Sequence, residues 1–145
     1  MKRSYEAEMM DLPDQPEALL VDDLRNLRII NACLGNRRNV LRGLTRLVGK
    51  QKQFSLLDVG TGTADVPATI ARWARRQGLS AHLSGLEPNQ VTITQAAKQT
   101  KEFPEISLVR ADGLTLPFHP RSFDFILASQ MLHHYSEESI VGFLR

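Results

Sequence analysis

The sequence is short of the residues that build secreted scaffolds, metal centres and membrane spans. Among 145 residues Cys33 is the only cysteine. An intramolecular disulfide is therefore excluded, and so is any zinc motif built on paired cysteines. Placed within an apolar helical pattern, this thiol reads as buried filler. No run approaches the roughly 18 apolar residues of a membrane span. The start, Met1-Lys2-Arg3-Ser4-Tyr5-Glu6, has no apolar stretch behind it to make a signal peptide. These absences predict a cytoplasmic protein with no membrane span. His82 and His119 have no ligand-type neighbours at metal-binding spacing, so no metal is expected. A G-x-S-x-G elbow and a P-loop G-K-[ST] are also missing.

Net charge is small overall, but basic residues are concentrated locally. The formal net charge is +2, yet between Asp22 and Lys52 eight bases (Arg25, Arg28, Arg37, Arg38, Arg42, Arg46, Lys50 and Lys52) stand against Asp22 and Asp23 alone. Such a cluster suits nucleic acid, an anionic substrate or a membrane surface, and its plainer reading is a solvated helix face. No aromatic side chain interleaves with these bases, which disfavours single-stranded nucleic acid as a partner.

Pro13 and Pro16 interrupt the N-terminal stretch. Leu24, Leu27, Ile30 and Leu34 recur at helical spacing behind Asp22 or Asp23, with Gly35 and Asn36 as a stop. A second amphipathic segment carries Val40, Leu41, Leu44, Leu47 and Val48 and closes at Gly49. Residues 1–52 are thus expected to form an N-terminal helical cap or extension, either over a site or packed on a sheet. From residue 53 strands alternate with helices: strands over 55–59, 81–86, 106–110 and 123–128, and helices over 66–77, 89–101 and from about 136. Near-continuous apolar strands separated by helices predict an α/β fold, a parallel sheet with helices on both faces. Right-handed crossovers wind it in the order 3-2-1-4, with a ligand crevice at the carboxyl ends of the strands.

The residues just past each strand carry the chemistry. Asp58-Val59-Gly60-Thr61-Gly62-Thr63-Ala64-Asp65 joins strand one to its helix, and the two glycines admit a ligand close to the backbone. The dinucleotide fingerprint G-x-G-x-x-G is not met, because the sixth residue from Gly60 is Asp65. Carboxylates at both ends of the turn would repel a pyrophosphate and attract a ligand bearing ammonium and sulfonium groups. Glu87, past strand two, is placed to accept from the vicinal hydroxyls of a ribose and to reject a 2′-phosphate. Asp112, past strand three, either accepts from an adenine amino group or caps its own turn before Gly113.

The stretches LLDVGTGTAD at 56–65, SGLEPN at 84–89, LVRADGLTLPF at 108–118 and FDFILASQMLHH at 123–134 together resemble the class I S-adenosylmethionine-dependent methyltransferases, most closely the small-molecule branch that includes ubiquinone and menaquinone methyltransferases. The resemblance covers about residues 54 to 141. It implies a Rossmann-like fold with S-adenosyl-L-methionine as cofactor and a small-molecule methyl acceptor. By the same resemblance Asp58, Gly60, Thr61 and Gly62 line the methionine portion, Glu87 and Pro88 the ribose, and Asp112, Gly113 and Leu114 the adenine; backbone at Ser129 or Gln130 faces the amino group. His133 and His134 are the candidate bases, with substrate contact or loop ordering as the alternative for each.

Two departures stand out. Ala64 replaces the family's usual third glycine. The family fold also has seven strands, so three strands and the substrate loops are expected beyond Arg145, where a further segment or a second copy in a homo-oligomer would cover the edge of strand four. After strand four the order Ser129-Gln130-Met131-Leu132 differs from the Asn/Asp-Pro-Pro-aromatic pattern of methyltransferases acting on exocyclic amines of nucleic acids. The alternatives are a non-catalytic interaction module built on this fold and an NAD-dependent oxidoreductase.

Overall fold

A computed structural model describes residues 36–129 and 136–143. The helix expected over 24–34, Cys33, Gln130, His133 and His134 lie outside the described residues.

The apolar run after Lys52 forms β1 (Gln53–Val59). Its two-residue alternation sends Phe54 and Leu56 into one core and Leu57 and Val59 into the other. Burial on both faces is what a near-continuous apolar strand requires. Beside it lie β2 (Ser80–Leu86), β3 (Ile106–Val109) and β4 (Phe125–Leu127), all parallel, in the order β3-β2-β1-β4. The expected 3-2-1-4 winding is therefore present.

β4 is shorter than the sequence pattern predicts, and Asp124 explains the late start. Its carboxylate Oδ2 accepts from the Ser55 N–H at 2.7 Å and from the Ser55 hydroxyl at 2.8 Å, and its own N–H donates back to that hydroxyl at 3.0 Å. The side chain thus takes a β1 donor that a longer backbone ladder would need.

Helices α1 (Asn36–Val48) and α2 (Asp65–Gln77) share one face of the sheet. Leu44 and Val48 of α1 join Ile70 and Trp73 of α2 over Phe54, with the Phe54 and Trp73 rings tilted at 6.1 Å between centroids. On the other face Leu57, Val59 and Leu86 meet Phe118, Phe123 and Phe143, the last from α4 (Glu137–Phe143). Gly78 ends α2 in the left-handed conformation, and its N–H reaches the Ala74 and Arg75 carbonyls. The Arg75 guanidinium then forks onto both Glu105 oxygens at 2.7 Å, fastening the end of α2 to the start of β3. Asn89 caps α3 (Gln90–Gln99) by accepting from the Val91 and Thr92 amides.

Candidate cofactor cradle

The strand order brings the turns after β1, β2 and β3 to one edge of the sheet. After β1 the backbone turns through Gly60 (φ 70°) and Gly62 (φ 57°). The Gly60 and Thr61 amides both donate to the Leu86 carbonyl at 2.9 Å, locking the turn to the end of β2. An ideal Cβ on Gly62 would meet no heavy atom within 4 Å, so the space before this backbone is open. Ala64 also adopts the left-handed conformation, with φ 60°, a geometry that costs a non-glycine residue about 1–2 kcal/mol. The third glycine of the motif thus answers a backbone requirement as well as a steric one, and Ala64 meets it under strain.

Asp58 is placed beneath the turn. It lies on the Leu56 face of β1 and is 2% exposed, and its Oδ2 accepts from the Thr61 hydroxyl at 2.8 Å. Burial pushes its carboxyl up to about 7, with the Thr61 hydrogen bond pulling back. Asp65 opens α2, where its Oδ2 accepts from the Thr63 hydroxyl at 2.8 Å and its Oδ1 stands 3.5 Å from Arg37 Nη2. One acid is thus buried with a raised pKa and the other paired with a guanidinium. The acidic field expected at the turn is weaker than the sequence suggests, and half-buried Glu87 adds to it.

Glu87 joins two turns. Its Oε2 accepts from the Gly62 N–H at 3.2 Å and its Oε1 from the Asn89 N–H at 3.0 Å. Gly85, in the strand below, touches the turn from beneath: a Cβ there would lie 2.9 Å from the Thr61 Cγ2 and Oγ1 and 3.0 Å from Leu108 Cδ2.

Asp112 Oδ1 accepts from the Leu114 N–H at 2.9 Å, the turn-capping geometry of an Asp-Gly pair. Gly113 is buried, Leu114 is 42% exposed, Pro88 is exposed and Ser129 is half-buried. Arg110 crosses the same edge, donating from Nε to the Pro88 carbonyl at 3.1 Å and from Nη1 to Gln90 at 2.9 Å. Asp58, Gly60, Thr61, Gly62 and Glu87 are therefore assembled around one turn, and Asp112 to Leu114 occupy the neighbouring loop. Sequence reasoning missed two participants. Gly85 gave a signal only as a glycine inside a strand, and Arg37 was hidden among eight similar bases. Among the described residues no three His, Cys, Asp or Glu side chains gather in a group able to hold a metal ion, and no helix is long and apolar enough to cross a membrane.

Residues 56–145 match the family described as a methyltransferase domain. A demethylmenaquinone methyltransferase of Staphylococcus haemolyticus is 29% identical over 90 residues, which are 62% of this chain and 35% of that protein. The chain thus spans about a third of the length of this curated relative. A Listeria monocytogenes protein classed as a class I S-adenosylmethionine-dependent methyltransferase superposes with a TM-score of 0.59 at 25% identity, covering 65% of this chain and 29% of that one. The [4+2]-cyclase SpnF superposes with a TM-score of 0.54 at 29% identity, covering 70% of this chain and 39% of that one.

Proposed function

The chain belongs to the methyltransferase-domain family, and from that membership we propose that its glycine turn and Glu87 hold S-adenosylmethionine for methyl transfer to a small-molecule acceptor. The observation that carries the reading is the Glu87 carboxylate held against the Gly62 amide at 3.2 Å, beside open space in front of Gly62. This geometry fits an adenosyl group. Backbone without side chains lets the ligand lie close, and a carboxylate fixed by two amides is preorganised to accept from vicinal ribose hydroxyls.

When bound, the cofactor supplies a methyl group already activated by a positive sulfur. Glu87 orients the ribose, and Pro88 borders it. Asp58 keeps the turn in shape through Thr61, while Gly60 and Gly62 leave the approach clear. Gly113 and Leu114 present backbone to the adenine edge, with Asp112 holding that loop. Ser129 and Gln130 offer backbone to the methionine amino group. His133 or His134 takes the proton from an acceptor hydroxyl or enolic carbon, since in-line transfer to a protonated nucleophile needs a base as well as alignment. The acceptor is an aromatic or enolic small molecule methylated on oxygen or carbon. The resemblance to a demethylmenaquinone methyltransferase favours a quinone-type acceptor.

A second reading, that the frame serves a reaction other than methyl transfer, has its own support. The similarity to a [4+2]-cyclase shows that this frame is not confined to proteins named as methyltransferases. Calorimetric titration with S-adenosylhomocysteine and with NAD tests the cofactor reading: saturable heat with the first and none with the second is expected, and the reverse refutes it. Incubation of a hydroquinone acceptor with S-adenosylmethionine carrying a labelled methyl group tests the transfer, and label confined to the cofactor would favour the second reading. Replacing His133 and His134 together with Gln is expected to slow turnover and remove a limb of its pH profile. An unchanged profile rules out either as base.

A further inference from the structure

We propose that Arg110 is a positioning residue for the cofactor, holding the Glu87 turn at the spacing from the 112–114 loop that an intact adenosine needs. The inference rests on the cofactor reading above and adds to it a side chain that acts through Glu87 rather than on the ligand.

β2 and β3 leave the sheet side by side, and the turns that follow them carry Glu87 and Asp112. A backbone bond from the Glu87 N–H to the Val109 carbonyl, at 3.1 Å, joins the two exits. One residue further on, a side chain takes over. Arg110 donates from Nε to the Pro88 carbonyl at 3.1 Å and from Nη1 to Gln90 Oε1 at 2.9 Å. One planar group thus grips two points of the facing turn, and a fork of fixed angles sets a distance as well as an attraction. Pro88 has no N–H with which to continue the ladder, and its carbonyl is the group that Arg110 takes. On its other side the same turn is fixed by Glu87 itself, which accepts from the Gly62 and Asn89 amides.

The ligand explains why this spacing is worth holding. Base and sugar of an adenosine are joined by one covalent bond, so the groups that receive the ribose and those that meet the adenine edge must stand a set distance apart. Turns left to find that distance on binding would lose their freedom at that moment, which weakens affinity. Arg110 is exposed and joins neither hydrophobic core. Its contribution is therefore to geometry rather than to burial.

The test is calorimetric titration of S-adenosylhomocysteine into the wild type, Arg110→Ala, Arg110→Lys, Glu87→Gln and the double variant Glu87→Gln with Arg110→Ala, with thermal unfolding of each alongside. Losing these two contacts should weaken binding by about 3- to 10-fold in Arg110→Ala. Arg110→Lys keeps the charge without the fork and should recover part of that loss. In the Glu87→Gln background the Ala substitution should cost less than about twofold, because a residue that acts through Glu87 then has little left to position. A merely structural role would not give this pattern, since general loosening weakens binding by the same factor in both backgrounds. Equal losses in the two backgrounds, or an Arg110→Ala affinity equal to that of the wild type, overturns the proposal and leaves the cofactor reading intact. If the wild type binds no S-adenosylhomocysteine, both fall.

Discussion

The Thr61 hydroxyl donates to Asp58 Oδ2 at 2.8 Å beneath the glycine turn, which makes a buried carboxyl the support of the cradle. This carboxyl is pushed up to about 7 by burial, whereas in the unfolded chain it titrates near 4, about the ordinary value. Across that interval the folded protein keeps a proton that the unfolded chain has released. The stabilising contribution is complete below about pH 4, falls as the pH rises towards about 7, and is level above it. Asp124 is held below its usual value by the Ser55 backbone amide, and Glu105 by Arg75, so these two groups slope the other way. Comparison with Asp58→Asn isolates the effect. Unfolding free energies from urea titration at several pH values should give a wild-type minus variant difference that falls with rising pH, by at most about 1.4 kcal/mol per unit. A flat difference would place Asp58 in a wetter site.

Gly85→Ala should destabilise the protein although the substitution adds one methyl group. The added carbon would sit 2.9 Å from both Thr61 side-chain branches and 3.0 Å from Leu108. Thr61 is held by Asp58, so it cannot turn aside without giving up a buried hydrogen bond. Overpacking of this kind costs about 1–3 kcal/mol, and thermal unfolding would register it as a lower Tm. An unchanged Tm would show that the turn is more pliant than its hydrogen bonds indicate.

Asp124→Ala should loosen β4 from β1 while leaving the β1 and β2 pairing in place. The carboxylate takes both the amide and the hydroxyl of Ser55, and the strand it introduces is only Phe125–Leu127. Amide hydrogen exchange should quicken across Phe125, Ile126 and Leu127, with Leu83 to Leu86 unaffected. Equal quickening in β2 would mean that the sheet opens as a unit.

Much of this was legible in the sequence because parallel strands buried on both faces leave an unmistakable apolar record. Val59 before Gly60 and Leu86 before Glu87 marked where the chain leaves the sheet, and the crossover rule then fixed strand order. What stayed hidden depends on contacts between distant positions. The Arg37 and Asp65 pairing spans most of α1 and all of β1, and no local pattern separates Arg37 from Arg38 or Arg42. Asp58 had the alternation of a core position, yet its depth is set by Thr61 folding back over it. Ala64 stood out only as a missing glycine, because φ is not written in side-chain chemistry. Asp124 broke the strand pattern because a side chain, invisible to periodicity, occupied the donor of Ser55.

The most direct measurement of the central claim is calorimetric titration of S-adenosylhomocysteine into the wild-type protein and into Glu87→Gln. The substitution keeps the side chain's shape and removes the charge that receives the ribose hydroxyls. One saturable site in the wild type, weakened at least about tenfold in the variant, is the predicted result. Equal affinity in the two proteins would contradict it.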